Sequence, residues 1–179
     1  MKKTISLAIA LFAVLLSYSS HAQTFELYGS MGSKNDGGEN YSVRDITMQT
    51  GIIKSFWYFN GEINLRSYEV EEVRDSDISI ALNVMGNLIP QSNQRLRLYT
   101  GVGMGYGNVL ENSYRTGDYT PTRGLFFHFK LQGHYQIHKN LYGSARVQFT
   151  SYRCATAGVG LSWLFPYKSK ADTREKNLK

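Results

Sequence analysis

The chain predicts an all-β fold, an eight-stranded antiparallel up-and-down transmembrane β-barrel, on three observations. Apolar and polar residues alternate with period two in about eight segments. A short basic and apolar leader stands in front of them. No later segment carries an uninterrupted apolar run long enough to cross a bilayer as a helix. The clearest alternation runs from Leu125 to Ile137, where Leu125, Phe127, Phe129, Leu131, Tyr135 and Ile137 share one face and His128, Lys130, Gln132, His134 and Gln136 share the other. A soluble domain would put the polar row in water, whereas a closed barrel in lipid turns the aromatic row outward.

Residues 1–22 read as a signal peptide: basic Met1-Lys2-Lys3, the apolar run Leu7 to Leu16, polar Ser17 to Ser20, then Ala22-Gln23 at a cleavage point. The apolar run is too short for a spanning anchor, and no cysteine near residue 22 suggests a lipoprotein. Residues 23–165 form the barrel, enough for one domain, and residues 166–179 form a basic periplasmic tail. The charge of +6 gives no case for nucleic acid. Lys2 and Lys3 leave with the signal, the tail is basic, and the region between holds thirteen basic against twelve acidic residues, without the concentrated basic face that nucleic acid needs. Cys154 is the single cysteine, so no intramolecular disulfide forms and the thiol reads as a small packing residue.

The first strand is expected near residues 24–33, with Phe25, Leu27, Gly29 and Met31 opposite Glu26, Tyr28 and Ser30. A polar loop then runs from Lys34 to Asn40. The second, near 42–53, is the least regular, with Ile46, Met48, Thr50 and Ile52 as its apolar face. The third, 57–69, sets Trp57, Phe59, Gly61, Ile63 and Leu65 against Tyr58, Asn60, Glu62, Asn64 and Arg66, and ends in a charged loop at Glu71 to Asp75. The fourth alternates Ile78, Ile80, Leu82, Val84 and Leu88 with Ser79, Ala81, Asn83, Met85 and Asn87 before Pro90 stops it.

The fifth, 95–107, sets Leu96, Leu98, Val102, Met104 and Tyr106 against Arg97, Tyr99, Gly101, Gly103 and Gly105. The longest loop follows, about Asn108 to Thr122, carrying Tyr114, Arg115, Asp118 and Tyr119. The sixth strand turns at His138-Lys139-Asn140 into the seventh, where Leu141, Gly143, Ala145, Val147 and Phe149 oppose Tyr142, Ser144, Arg146, Gln148 and Thr150. The eighth runs 155–165 with Ala157, Val159, Leu161, Trp163 and Phe165 on its apolar side. Turns at Lys54, Pro90 and Lys139 then fall on the periplasmic side. The loops near Asp36, Glu72, Asp118 and Arg153 face outward, three of the four longer than ordinary turns. Trp57 and Trp163 sit at inner strand ends and Tyr68, Tyr106 and Tyr152 at outer ends, as aromatic girdles would.

The segment Leu98 to Gly107, the paired strands after it and the closing Gly158-Val159-Gly160-Leu161-Ser162-Trp163-Leu164-Phe165 resemble the OmpA-like and OmpX-like small outer-membrane β-barrel family over nearly the whole mature chain. The resemblance implies a barrel in the bacterial outer membrane, in contact with its lipids and lipopolysaccharide. Family barrels usually end on their last aromatic residue, whereas Phe165 is followed by residues 166–179. That tail is too short for the peptidoglycan-binding domain of larger relatives.

The alternating Gly101, Gly103, Gly105 and Gly107 continue a strand rather than joining a strand to a helix, so they read as small inward residues and not as a phosphate cradle. Glu26, Glu62, Arg66, Arg97, His128, Lys130, His134 and Arg146 are expected to point inward and pair across a narrow lumen as a structural charge network, with a gated conduit as the alternative. No catalytic residue, cofactor or metal is expected. A lipid A-modifying enzyme is the sharper alternative, but the His-x-Ser pattern of barrel deacylases is absent, leaving Ser144 beside His134 as the one pair to test. The expected role is structural or surface-interaction, with outer loops that bind a surface ligand, and a soluble lipocalin-like carrier of an apolar ligand with reversed faces completes the alternatives. A monomer that binds no nucleic acid is expected.

Overall fold

Period-two alternation closes into a barrel because each segment can hydrogen-bond on both edges while one face stays apolar and the other polar. The computed structural model describes residues 22–36, 39–54, 56–70, 73–89, 95–109, 122–151 and 154–165. It contains β1 (Ala22–Asp36), β2 (Glu39–Lys54), β3 (Trp57–Val70), β4 (Val73–Asn87), β5 (Leu96–Val109), β6 (Thr122–His138), β7 (Leu141–Thr150) and β8 (Cys154–Phe165). Neighbours in sequence pair antiparallel, and β1 pairs with β8 to close the barrel.

Stepping from partner to partner, the register runs from Ala22 through Ile53, Tyr58, Met85, Gly101, Lys130, Gln148 and Thr156. It returns to β1 at Gly32, ten residues along the strand. Eight strands with such a stagger enclose an interior that side chains fill.

The two faces have opposite chemistry. Leu125, Phe127 and Val159 are 65%, 61% and 72% exposed, while Glu26, Gln49, Lys130 and Gln132 are fully buried. This inverts a soluble carrier, whose apolar face lines the cavity, and it is the arrangement of a transmembrane barrel.

Both termini of the described barrel and the β2–β3, β4–β5 and β6–β7 connections lie at one end, called here the turn end; the other is the loop end. Trp57 and Trp163 are exposed at the turn end and Tyr106 toward the loop end. Tyr152 and the side chain of Tyr68 lie outside the described residues, as do residues 1–21, the residues 110–121 that include Arg115, and the tail 166–179.

At the loop end the strands run further than the apolar pattern suggested. Lys34, expected in a loop, is in β1 opposite Tyr41 and Cys154, and its side chain is buried. The β1–β2 and β3–β4 connections shrink to two residues each, so of the four outer connections only β5–β6 is long. Hydrophobic alternation ends where lipid ends, whereas backbone pairing continues into water at little cost.

Candidate functional site: the polar lumen

Parity along each strand puts a carboxylate from β1 and another from β3 inside the barrel, and each is met by a donor two residues along its own strand and by donors from strands that are not its neighbours. Toward the turn end, Glu26 accepts a hydrogen bond from Tyr28 Oη at 2.5 Å, one from Tyr58 Oη on its other oxygen, and one from Gln132 Nε2 at 2.7 Å. His134 Nε2 lies 3.3 Å from the same carboxylate and 2.7 Å from Gln132 Nε2. Tyr58 is held in turn by Thr24 at 2.8 Å and Gln49 at 2.9 Å, and its ring packs on Tyr99 with centroids 5.1 Å apart.

At mid-height, Glu62 takes a hydrogen bond from Lys130 Nζ across the lumen and one from Asn64 Nδ2 at 3.3 Å. Arg146 Nη1 lies 3.7 Å and His128 Nε2 4.0 Å from it. Arg146 links the two centres: its Nε donates to Ser30 Oγ at 3.2 Å, its Nη2 to Thr47, and its guanidinium stacks 4.8 Å from the Tyr28 ring centroid. Toward the loop end, Arg66 makes a two-pronged bond to Asp45, at 2.6 and 3.0 Å, the geometry in which a planar guanidinium fits a carboxylate best. His128 meets Asn83, which donates to Asn60 at 2.7 Å.

Seven of the eight expected residues, Glu26, Glu62, Arg66, His128, Lys130, His134 and Arg146, are buried in the lumen. Arg97 lies at the turn-end mouth instead, half-buried, with its guanidinium 5.4 Å from the Tyr142 ring centroid. Parity gave its face but not its depth. The expected charge network omits Lys34, Asp45 and Asp77, which are also buried, and does not assign Tyr28, Tyr58, Gln132 and Asn83 on the polar faces their role as hydrogen-bond partners. Asp45 and Asp77 share the parity of inward neighbours on their strands, so parity applied to every polar residue finds them, whereas Lys34 lies beyond the alternating segment. Buried charge among the described residues is balanced: Glu26, Asp45, Glu62 and Asp77 against Lys34, Arg66, Lys130 and Arg146.

The glycines of β5 make room for this layer. A Cβ on Gly103 would stand 2.2 Å from Asn83 Oδ1 and 2.4 Å from His128 Nε2, so the bulk that replaces glycine comes from the adjacent strands β4 and β6 rather than from an opposite wall. Ser144 and His134 are register partners on β7 and β6. Both are buried; His134 Nε2 faces Gln132 and Glu26, and Ser144 Oγ accepts a hydrogen bond from Ser162 at 3.1 Å. Among the described residues a few lumen groups have no hydrogen-bond partner, including Ser79 Oγ and both amide atoms of Gln148.

No protein-family model and no curated protein sequence matches the chain. Solved structures do. Neisserial surface protein A (NspA) superimposes with a TM-score of 0.63 at 10% identity, covering 80% of this chain and 99% of that one. The N-terminal β-barrel domain of Pseudomonas aeruginosa OprF gives 0.57 at 12% identity, with 81% and 98% covered. Ail, the attachment invasion locus protein of Yersinia pestis, gives 0.55 at 13% identity, with 81% and 99% covered. The fold is therefore that of the small eight-stranded outer-membrane barrels.

Proposed function

We propose that this chain is a monomeric barrel of the bacterial outer membrane with a structural or surface-interaction role, and that its lumen charges form a structural plug. One observation carries the reading: balanced, hydrogen-bonded charge inside and an apolar band outside. A conduit would need groups free to exchange partners with passing ions. Glu26 and Glu62 each have several donors within 4 Å, and a buried ion pair persists only when such partners satisfy it.

A catalytic reading by contrast would need a nucleophile open to substrate, and Ser144 is enclosed. With an even strand number, the turn end and both termini face the periplasm and the loop end faces outward. The outward residues meet membrane lipid and lipopolysaccharide, and the loop end is where a surface ligand would dock.

The test is outer-membrane fractionation joined to a gel comparison of boiled and unboiled samples. Recovery in the outer membrane with a boiling-dependent mobility shift is expected. A soluble protein with no shift would overturn the reading.

A further inference from the structure

The two ends of the barrel differ in charge. The turn-end segments 53–57, 88–97 and 136–142 contain Lys54, Arg95, Arg97, His138 and Lys139 and no Asp or Glu in their sequence, whereas among the described residues the acidic ones other than Glu26, Asp45, Glu62 and Asp77, namely Asp36, Glu39, Glu69 and Asp75, belong to strand ends at the loop end. Lys54, Arg95, His138 and Lys139 are exposed. Lys54 continues the outward row of Ile46, Met48 and Ile52 and is the register partner of exposed Trp57, which packs edge-on against Phe56 at 5.3 Å. On the other side of the barrel, Lys139 sits in the turn whose Asn140 carbonyl accepts from Leu164 N at 2.8 Å, next to exposed Trp163. Lys54 is thus the register partner of one of the chain's two tryptophans, and Lys139 lies in the turn two residues from Leu141, the register partner of the other.

We propose that this rim is a binding site for anionic phospholipid headgroups, with Lys54 and Lys139 as its principal contacts. The proposal rests on the membrane reading above and adds a lipid class to it. Interfacial tryptophans mark headgroup depth, so ammonium groups beside them lie at the level of lipid phosphates rather than out at the cell-wall polymer. Among the described residues no carboxylate of these turns pairs with them, and a cation near an anionic surface contributes about a fivefold preference.

The experiment uses the full-length mature barrel folded into vesicles of phosphatidylcholine containing a variable fraction of phosphatidylglycerol. The bromine atoms, which quench tryptophan, are placed on the acyl chains of one lipid or the other. Both tryptophans report on the rim. Brominated phosphatidylglycerol should quench at a several-fold lower mole fraction than brominated phosphatidylcholine. The preference should fall sharply at about 1 M salt, where the screening length is about 3 Å, and vanish in the Lys54→Gln/Lys139→Gln variant, whose folding is checked by its boiling-dependent shift.

Equal quenching by the two lipids, or a preference that the double variant keeps, overturns the proposal and leaves the membrane reading standing. Equal quenching combined with lysine-dependent retention on purified cell-wall sacculi would assign the rim to that polymer instead. Absence of quenching by either lipid would overturn the membrane reading itself.

Discussion

Lys130 of β6 and Glu62 of β3 are in direct hydrogen-bonded contact although their strands are not neighbours in the sheet. The bond therefore crosses the lumen, and it braces opposite walls where backbone pairing braces only adjacent strands. Lys130→Met should cost about 3 kcal/mol in urea unfolding of the barrel folded in lipid vesicles, because Glu62 would remain charged with its nearest donor gone. Adding Glu62→Gln should recover most of that loss. A double variant no more stable than the single one would refute the pairing.

Arg66→Ala should be more damaging than Arg97→Ala. The first strips a two-pronged partner from buried Asp45; the second removes a cation stacked on Tyr142 at the mouth, worth about 0.5–1 kcal/mol. Equal unfolding midpoints for the two variants would contradict these placements.

Glycine positions should separate sharply. Gly103→Ala pushes a methyl group into Asn83 and His128, whereas a Cβ on Gly29 meets nothing within 4 Å. Overpacking costs about 1–3 kcal/mol, so Gly103→Ala should be destabilised by that amount and Gly29→Ala unchanged in the same unfolding assay.

Inward amides should divide in the same way. Gln132→Met removes a donor from Glu26, and leaving a buried charge short of a partner costs about 1–3 kcal/mol. Gln148→Met deletes an amide with no hydrogen-bond partner among the described residues and should leave stability unchanged or raised. A larger loss for Gln148→Met than for Gln132→Met would show that the lumen is organised differently.

Val147 pairs with Leu131 within the apolar band. Val147→Lys should impair assembly, since a lysine at the bilayer midplane costs about 2–4 kcal/mol, whereas Arg44→Lys, already charged and 70% exposed near the loop end, should assemble normally. Boiling-dependent gel shifts of both variants check this.

Face assignment was legible because period two is a local property: Leu27 and Glu26 declare opposite sides without reference to any other strand. Depth and cross-lumen pairing were not, because they depend on the ten-residue stagger, which accumulates over all eight registers. That is why Arg97 shares parity with Tyr99 yet sits at the mouth, and why Glu62 finds Lys130 and Arg146 rather than a residue on a neighbouring strand. Lys34 was read as loop because alternation stops near Ser33 while the backbone ladder with β8 continues to Cys154.

The seam between β1 and β8, where Gln23 pairs with Phe165, also governs how the molecule forms. Its two edges belong to the first and last strands of the barrel, so no ribosome-bound fragment can seal itself. Until β8 has been made, β1 presents an unpaired ladder that lipid cannot solvate. Closure of the barrel is therefore complete only once β8 has paired with β1. The contact joins residues at opposite ends of the barrel sequence, so the loop-closure entropy of nearly the whole barrel is lost in forming it.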